Sequence, residues 1–392
     1  MIPELELLPS RIPLSLYIHV PWCVKKCPYC DFNSHAAGQD APFAEYVDAL
    51  LADAVSQAQY LANRQISTVF IGGGTPSLLL IDEMARLFAG LRKILPFADD
   101  CEITLEANPG TLEHAPFEEY LNIGINRLSI GVQSFDADAL SVLGRIHNPD
   151  QAIHAIQAAR AAGFRRVNCD LMHGLPQQTA DKAVHDITTA IHAGATHISW
   201  YQLTIEPNTA FYRAPPDLPD EEMMDAIETA GRDVLTKHGF DNYEVSAWAG
   251  QNDTPCRHNL NYWQFGDYLA IGAGAHGKVT LHGHDGLSDG VYRFQKSRLP
   301  KDYLNYTDAP KMVNFEPVAA ENLPFEFMMN ALRLRNGVST QLFEERTGLF
   351  VSTIDNELMP LQHQGLMVFD PLILAPTALG FLYVNHLVSQ FL

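Results

Sequence analysis

Leu14 to Phe32 reads LSLYIHVPWCVKKCPYCDF. The first seven residues are apolar and β-branched enough for a buried strand, and Pro21 ends the run. Directly behind it, Cys23, Cys27 and Cys30 fall in the spacing C-x3-C-x2-C on what must be a loop. The chain has 6 cysteines, and the other three, Cys101, Cys169 and Cys256, are scattered. Cys101 and Cys169 sit in apolar runs and are expected in the core. Six cysteines do not staple a chain of 392 residues, so the clustered three are read as metal or cluster ligands. A [4Fe-4S] cube held by three thiolates keeps one iron open to an outside ligand, which is where chemistry would occur. A zinc site would need a fourth ligand from His19 or His35, and the paired spacing of zinc ribbons and fingers is missing.

The same unit, a β-branched run followed by conspicuous polar residues, recurs along the chain. Strands are predicted over 14–20, 67–72, 101–107, 126–132, 166–172, 197–203 and 243–248. Amphipathic helices are predicted between them, over 43–62, 81–95, 151–163 and 219–239. Alternating strands and helices give an α/β fold with parallel strands: a complete or partial (β/α) barrel, or a doubly wound sheet. CVKKCPYC, GGGTPS, EANPG, GVQSF, DLMHGLP and QLTIEPN follow the carboxyl ends of the first six strands. In a β/α barrel those ends share one site, whereas loops without a common task would scatter such residues over both faces. The repeats fill residues 1–250. Residues 251–319 read as a loop-rich extension carrying HNLNYW, and 320–392 as a small α-rich domain, winged-helix-like in its pattern.

Composition excludes other classes. Lys and Arg number 26 against 46 Asp and Glu, a net charge of −20, which disfavours nucleic-acid binding. No stretch is long and apolar enough for a membrane span, and the first residues lack the basic flank of a signal peptide, so a cytoplasmic protein is expected. Gly272, Gly274 and Gly277 spell G-x-G-x-x-G. They follow the last repeat instead of opening the first, so they are read as a close-packed turn and not as a dinucleotide site.

Taken together, YIHVPWCVKKCPYCDF, GGGTPS, EANPG, GVQSF, DLMHGLP and HNLNYW resemble the radical S-adenosylmethionine (SAM) superfamily. Within it they are similar to the branch of oxygen-independent coproporphyrinogen III oxidase and the HemW heme chaperones, over nearly the whole chain. The resemblance implies a [4Fe-4S] cluster on Cys23, Cys27 and Cys30 whose open iron is chelated by SAM, and cleavage of SAM to methionine and a 5′-deoxyadenosyl radical. It implies SAM contacts from Tyr17 and Tyr29, from backbone groups of Gly73, Gly74 and Thr75, and from Glu106. Gln133, Arg145 and Asp170 match SAM or substrate contacts of the oxidase. His258 of HNLNYW would offer an imidazole to heme iron.

Two departures separate the chaperone reading from the oxidase reading. The oxidases carry a further cysteine two positions past the third cluster cysteine, where this chain has Phe32. The chain also lacks the N-terminal arm that helps enclose the oxidase's substrate. The resemblance therefore implies a chaperone that binds heme and delivers it to apo-proteins such as respiratory cytochromes. It names no heme donor and allows peripheral association with a membrane. Oxidative decarboxylation of coproporphyrinogen III is the alternative.

Overall fold

The computed structural model describes residues 5–38, 41–110, 116–284, 286–305 and 312–392. Strands β1 (Leu14–Val20), β4 (Ile66–Gly73), β5 (Phe97–Ala107), β6 (Arg127–Gln133), β7 (Arg166–His173) and β8 (His197–Gln202) are the first six predicted, each within a few residues of its expected ends. Between β1 and β4 lie the two-residue strands β2 (Trp22–Cys23) and β3 (His35–Ala36), which pair with each other across the cysteine loop. Helices α1 (Phe43–Gln57), α2 (Ile81–Ile94), α3 (Phe117–Ile123), α4 (Ala137–Val142), α5 (Pro149–Ala161), α6 (Ala180–Ala193), α7 (Ala210–Arg213) and α8 (Glu221–Lys237) fill the crossovers. Several are capped by their own sequence. Asn148 and Gln151 close a capping box on α5, and Thr179 and Asp220 accept from the first turns of α6 and α8.

Alternation along the strands separates two faces. Leu14, Leu16, Ile18 and Val20 of β1, and Leu128, Ile130 and Val132 of β6, are buried against the helices. Cys101 and Cys169 lie in that apolar core as expected. The opposite face is polar: Ser15, Tyr17 and His19 on β1, Ser129 and Gln133 on β6, Asn168 and Asp170 on β7, Ser199 and Tyr201 on β8. The helices cover the apolar face, and the polar side is the interior of a partial barrel.

The structure departs from expectation in two places. The strand predicted over 243–248 is a hairpin edge, β9 (Phe240–Asn242) and β10 (Ala247–Gly250), which pair antiparallel with each other and, through β10, with β8. Glu244 and Ser246 turn the chain between them, and their hydrogen bond explains the break. Residues 251–319 are also far from loop-rich. After helix α9 (Arg257–Trp263) comes β11 (Asp267–Ile271), which pairs parallel with β1. β12 (His276–Leu281), β13 (Gly290–Lys296) and β14 (Met312–Pro317) then add antiparallel strands. The result is one twelve-stranded sheet, β14-β13-β12-β11-β1-β4-β5-β6-β7-β8-β10-β9. The strands are short and studded with Gly, His and Asn, which hid them. What holds β11 and β12 is a buried ionic knot: Asp267 pairs with Arg64 and Lys278 at 2.7 and 2.8 Å.

After α10 (Pro300–Leu304), the C-terminal region has its own apolar core. Helices α11 (Leu323–Ala331), α12 (Thr340–Thr347) and α13 (Asp355–His363), with the strand pair β15 (Val338–Ser339) and β16 (Ile373–Leu374), gather around Phe327, Phe343, Leu361 and Leu387. Among the described residues no helix is long and apolar enough to cross a membrane.

Candidate functional site

The polar ends of the strands meet in one cavity of about 490 Å3. Cys23, Cys27, Cys30 and Tyr29 line it from the loop after β1, Gly73, Gly74 and Thr75 from the end of β4, and Glu106 from β5. Gln133, Arg145 and Asp170 complete the wall. Eleven of the thirteen residues singled out in the sequence thus share one surface. The exceptions are Tyr17 and His258.

The three cysteines are free thiols, half-buried. Burial holds the Cys23 and Cys30 thiols above their ordinary pKa, so taking up a metal cluster would release protons. Among the described residues no three His, Cys, Asp or Glu side chains converge as a single ion would require. A cubane does not ask for that convergence, since its liganded irons stand at separate corners. Arg145 approaches from the other side, its Nη1 at 3.6 Å from Cys27 Sγ and its Nη2 donating to the Gly131 carbonyl at 2.5 Å. Among the described residues the Arg145 Nε is buried without a partner. Three free thiols beside a cation with an unspent donor fit an anionic iron–sulfur cluster and a carboxylate-bearing ligand. The loop itself is clamped by Lys26, whose ammonium donates to the carbonyls of Phe32 and Ser34 at 2.9 and 3.4 Å.

The glycine turn serves the loop first. Gly73 has φ +113°, and a Cβ there would overlap the His19 ring, while one on Gly74 would overlap the Trp22 backbone. Gly74 N–H donates to Val20 O at 2.8 Å, Thr75 N–H to Trp22 O at 2.7 Å, and Gly73 N–H to Glu106 Oε2 at 3.2 Å. All three N–H groups are spent inside the fold, which leaves the turn's carbonyl oxygens and the Thr75 hydroxyl to face a ligand. Of the backbone groups expected to meet SAM, the carbonyls are the ones this conformation leaves to do so.

Glu106 and Asp170 are the cavity's acidic pair. Burial, with the nearby Asp170 charge second, pushes Glu106 up to about 8. Burial also raises Asp170, opposed by hydrogen bonds from Ser129 at 3.1 Å and Asn168 at 2.7 Å. Gln133, at φ +73°, accepts from the Tyr201 hydroxyl at 2.7 Å. Ser129, Asn168, Ser199 and Tyr201 also line the cavity, and the sequence reading passed over them. Their signal was the polar residue at every second position of β6, β7 and β8.

Tyr17 stands on the far side of Glu106, in a neighbouring cavity of about 580 Å3. Its hydroxyl is 2.9 Å from His19 Nδ1, and His19 Nε2 is 2.9 Å from Asn33 O. With both nitrogens taken, His19 has none left for a metal. Phe32, Gly73 and Glu106 line both cavities.

His258, expected to offer an imidazole to heme iron, is buried at the start of α9. It is 1% exposed, with Nδ1 at 2.7 Å from Thr68 Oγ1, Nε2 at 2.9 Å from Tyr262 Oη, and its ring stacked on Phe70. Burial lowers its pKa to about 3. In this conformation both ring nitrogens face hydroxyl partners. Glu102, from β5, accepts the backbone N–H groups of Arg257 and His258 at 3.1 Å each, fixing the start of α9. HNLNYW is thus a plug within the sheet's concave side, giving Asn259 to the first cavity and Tyr262 and Trp263 to the second. The turn 272–277 is close-packed as expected, with Asn33 donating to the carbonyl oxygens of Ala273 and Arg298 at 3.0 and 2.8 Å.

Comparison with known proteins agrees with this geometry. The radical SAM superfamily profile matches residues 17–190, and that of the HemN C-terminal domain residues 318–383. The chain is 45% identical over 389 residues to the heme chaperone HemW of Haemophilus influenzae, covering 98% of this chain and 99% of that one. It is 46% identical over 382 residues to the heme chaperone HemW of Escherichia coli, covering 97% and 98%. The heme chaperone HemW of Bacillus subtilis is 32% identical over 96% of this chain and 99% of its own. Among solved structures, coproporphyrinogen III oxidase (HemN) from Escherichia coli superposes with a TM-score of 0.82 over 97% of this chain and 90% of that one, at 24% identity, a likeness of fold. From end to end, then, the chain belongs to the HemW family of radical SAM proteins.

Proposed function

We propose that the protein is a heme chaperone that carries a [4Fe-4S] cluster and SAM, binds heme, and delivers it to apo-proteins such as respiratory cytochromes. The observation that carries this reading is the end-to-end likeness, at 45% and 46% identity, to relatives that are themselves heme chaperones. Phe32 supports it: an exposed phenylalanine stands where the oxidases have a cysteine, on the wall common to the two cavities. The setting proposed is the cytoplasm, where reducing conditions keep three thiols available.

In this reading Cys23, Cys27 and Cys30 hold the cluster, and Lys26 keeps their loop closed around it. When bound, cluster and SAM together supply one-electron chemistry at the iron no cysteine holds. Arg145 offers its unspent N–H to a carboxylate, and the carbonyl oxygens of the glycine turn face an ammonium. Glu106, protonated near neutral pH, gives up its proton when a cation arrives beside it. Tyr29, packed toward Phe211 at 6.4 Å, covers the cluster side from water.

The test pairs two anaerobic assays on the reconstituted full chain. Stoichiometric hemin binding and heme transfer to an apo-cytochrome, with no turnover of coproporphyrinogen III, is the expected result. Decarboxylation to protoporphyrinogen IX with proportional SAM consumption would establish the oxidase instead.

A further inference from the structure

We infer that His197 is a positioning residue for Asp170: through Asn168 it orients the carboxylate that the first cavity presents to its ligand, an assignment that rests on reading that cavity as the SAM site. Asn168 and Asp170 stand two positions apart on the polar face of β7, and both line the cavity. Across the sheet, Asn168 is opposite His197 and Asp170 opposite Ser199 on β8, while Ser129 on β6 is opposite Asn168 from the other side. His197 is fully buried and is not part of the cavity lining. Whatever it does for a ligand therefore passes through its neighbours.

The direction of each hydrogen bond follows from donor and acceptor chemistry, starting at the carboxylate, which when ionised only accepts. Asp170 Oδ1 takes the Asn168 amide N–H at 2.7 Å, and Oδ2 takes the Ser129 hydroxyl at 3.1 Å. The second proton of that amide goes to Ser129 Oγ at 2.8 Å, which leaves the serine proton for Asp170. With its nitrogen so committed, Asn168 turns its carbonyl oxygen to β8. There it accepts from Ser199 at 3.1 Å and lies 2.7 Å from His197 Nδ1. Nδ1 must therefore carry the ring's proton. Nε2 is then the lone pair, and the Tyr243 hydroxyl, 3.0 Å away between β9 and β10, donates to it. Tyr243 in turn accepts the backbone N–H of Cys256 at 3.2 Å, from the N-cap of α9.

Every donor along this chain points from α9 toward Asp170. Burial, then the charges of Arg127 and Arg166, holds the His197 pKa well below the usual histidine value. The ring thus stays neutral, with the one proton and one lone pair that its two neighbours require. Arg127 reaches Asp170 by charge alone, and the bonds to the carboxylate come from Ser129, Asn168 and Ser199. Of the two donors on the Asn168 carbonyl, His197 makes the shorter bond. Without it the amide is free to turn over and set its oxygen against the carboxylate, acceptor to acceptor, and Ser129 loses the donor that orders its hydroxyl. An asparagine at position 197 offers an N–H near the place of Nδ1–H, and a leucine offers none.

Two measurements on the full-length protein test this. Long-range nitrogen–proton NMR of the histidine-labelled chain, with His197→Asn to assign the signal, should show a neutral ring with its proton on Nδ1 from about pH 6 to about pH 8. Equilibrium dialysis of SAM against the anaerobically reconstituted protein should show binding weakened about tenfold in His197→Leu, and within about twofold of wild type in His197→Asn. Cluster absorption and melting curves show that each variant is folded, and the NMR result, taken on wild type, stands if the leucine variant is not. A proton on Nε2, or a ring that titrates in that range, overturns the assignment. So do equal SAM affinities in all three proteins, or equal losses in the two variants, since the N–H to Asn168 would then carry none of the effect. Each of these leaves the cofactor reading of the cavity standing. Wild-type protein that takes up no SAM removes that reading and the assignment with it.

Discussion

Replacing Glu106 by Gln tests the electrostatics of the first cavity without changing its shape. The carboxyl is raised on folding from its ordinary 4.5 to about 8, first by burial and then by Asp170. A group whose pKa is raised on folding contributes its full stability below the unfolded value and loses it as pH climbs through the folded one. Here the loss begins near 4.5 and is complete near 8. At 1.36 kcal/mol per unit, the wild type has given up about 1 kcal/mol at pH 5.5 and ~3 kcal/mol at pH 7, whereas Gln, neutral throughout, gives up none. Gln keeps an oxygen for the Gly73 N–H, so the hydrogen bond survives in the variant. With an unfolding entropy of about 2.1 cal/mol/K per residue, ~3 kcal/mol is a gain of about 4 °C in Tm for a chain of this length. Thermal melts of both proteins from pH 5 to pH 8, without added cofactor, give the difference directly, the coupling to Asp170 included. A difference that stays constant across the range would show that Glu106 is not carrying a proton, and the account of the cavity's acidic pair would fall.

Alanine at Cys23, Cys27 or Cys30 should each abolish cluster incorporation, read as iron and sulfide content, with the fold retained by circular dichroism. Gly74→Val should fail differently, because a side chain there meets the Trp22 backbone. The variant is expected to lose several kcal/mol of stability along with the cluster, measured as Tm together with hydrogen exchange in the cysteine loop, and a variant of wild-type Tm would contradict the packing described. His258→Ala should cost ~2–4 kcal/mol by opening a cavity beside Phe70 and taking the imidazole partner from the Thr68 and Tyr262 hydroxyls, of which Thr68 keeps Ser15. Chemical denaturation reads that loss. Asp267→Asn leaves Arg64 and Lys278 buried without a counter-charge and should cost about 3–5 kcal/mol, with the edge strands after residue 267 exchanging first.

What was legible in the sequence is what local chemistry determines. β1 was readable to the residue because its alternating core positions and Pro21 bound it, and the site was readable because cysteine and glycine have few other reasons to occur in C-x3-C-x2-C and GGGTPS. β12 to β14 were not readable, since an antiparallel edge needs no continuous apolar run, and what stabilises this one is the pairing of Asp267 with Lys278, eleven residues later, and with Arg64, from the other side of β1. The same blindness governs histidine. His258 is set apart in the sequence only by its motif, HNLNYW. Only the fold shows that Thr68, 190 positions away, meets one nitrogen of His258. A motif records that a residue is needed, and in HNLNYW the need the structure displays is to plug the sheet's concave side and hold Tyr262 and Trp263 on the wall of the second cavity. Iron ligation requires a free lone pair, and that is a property of the neighbours a side chain meets in the folded chain.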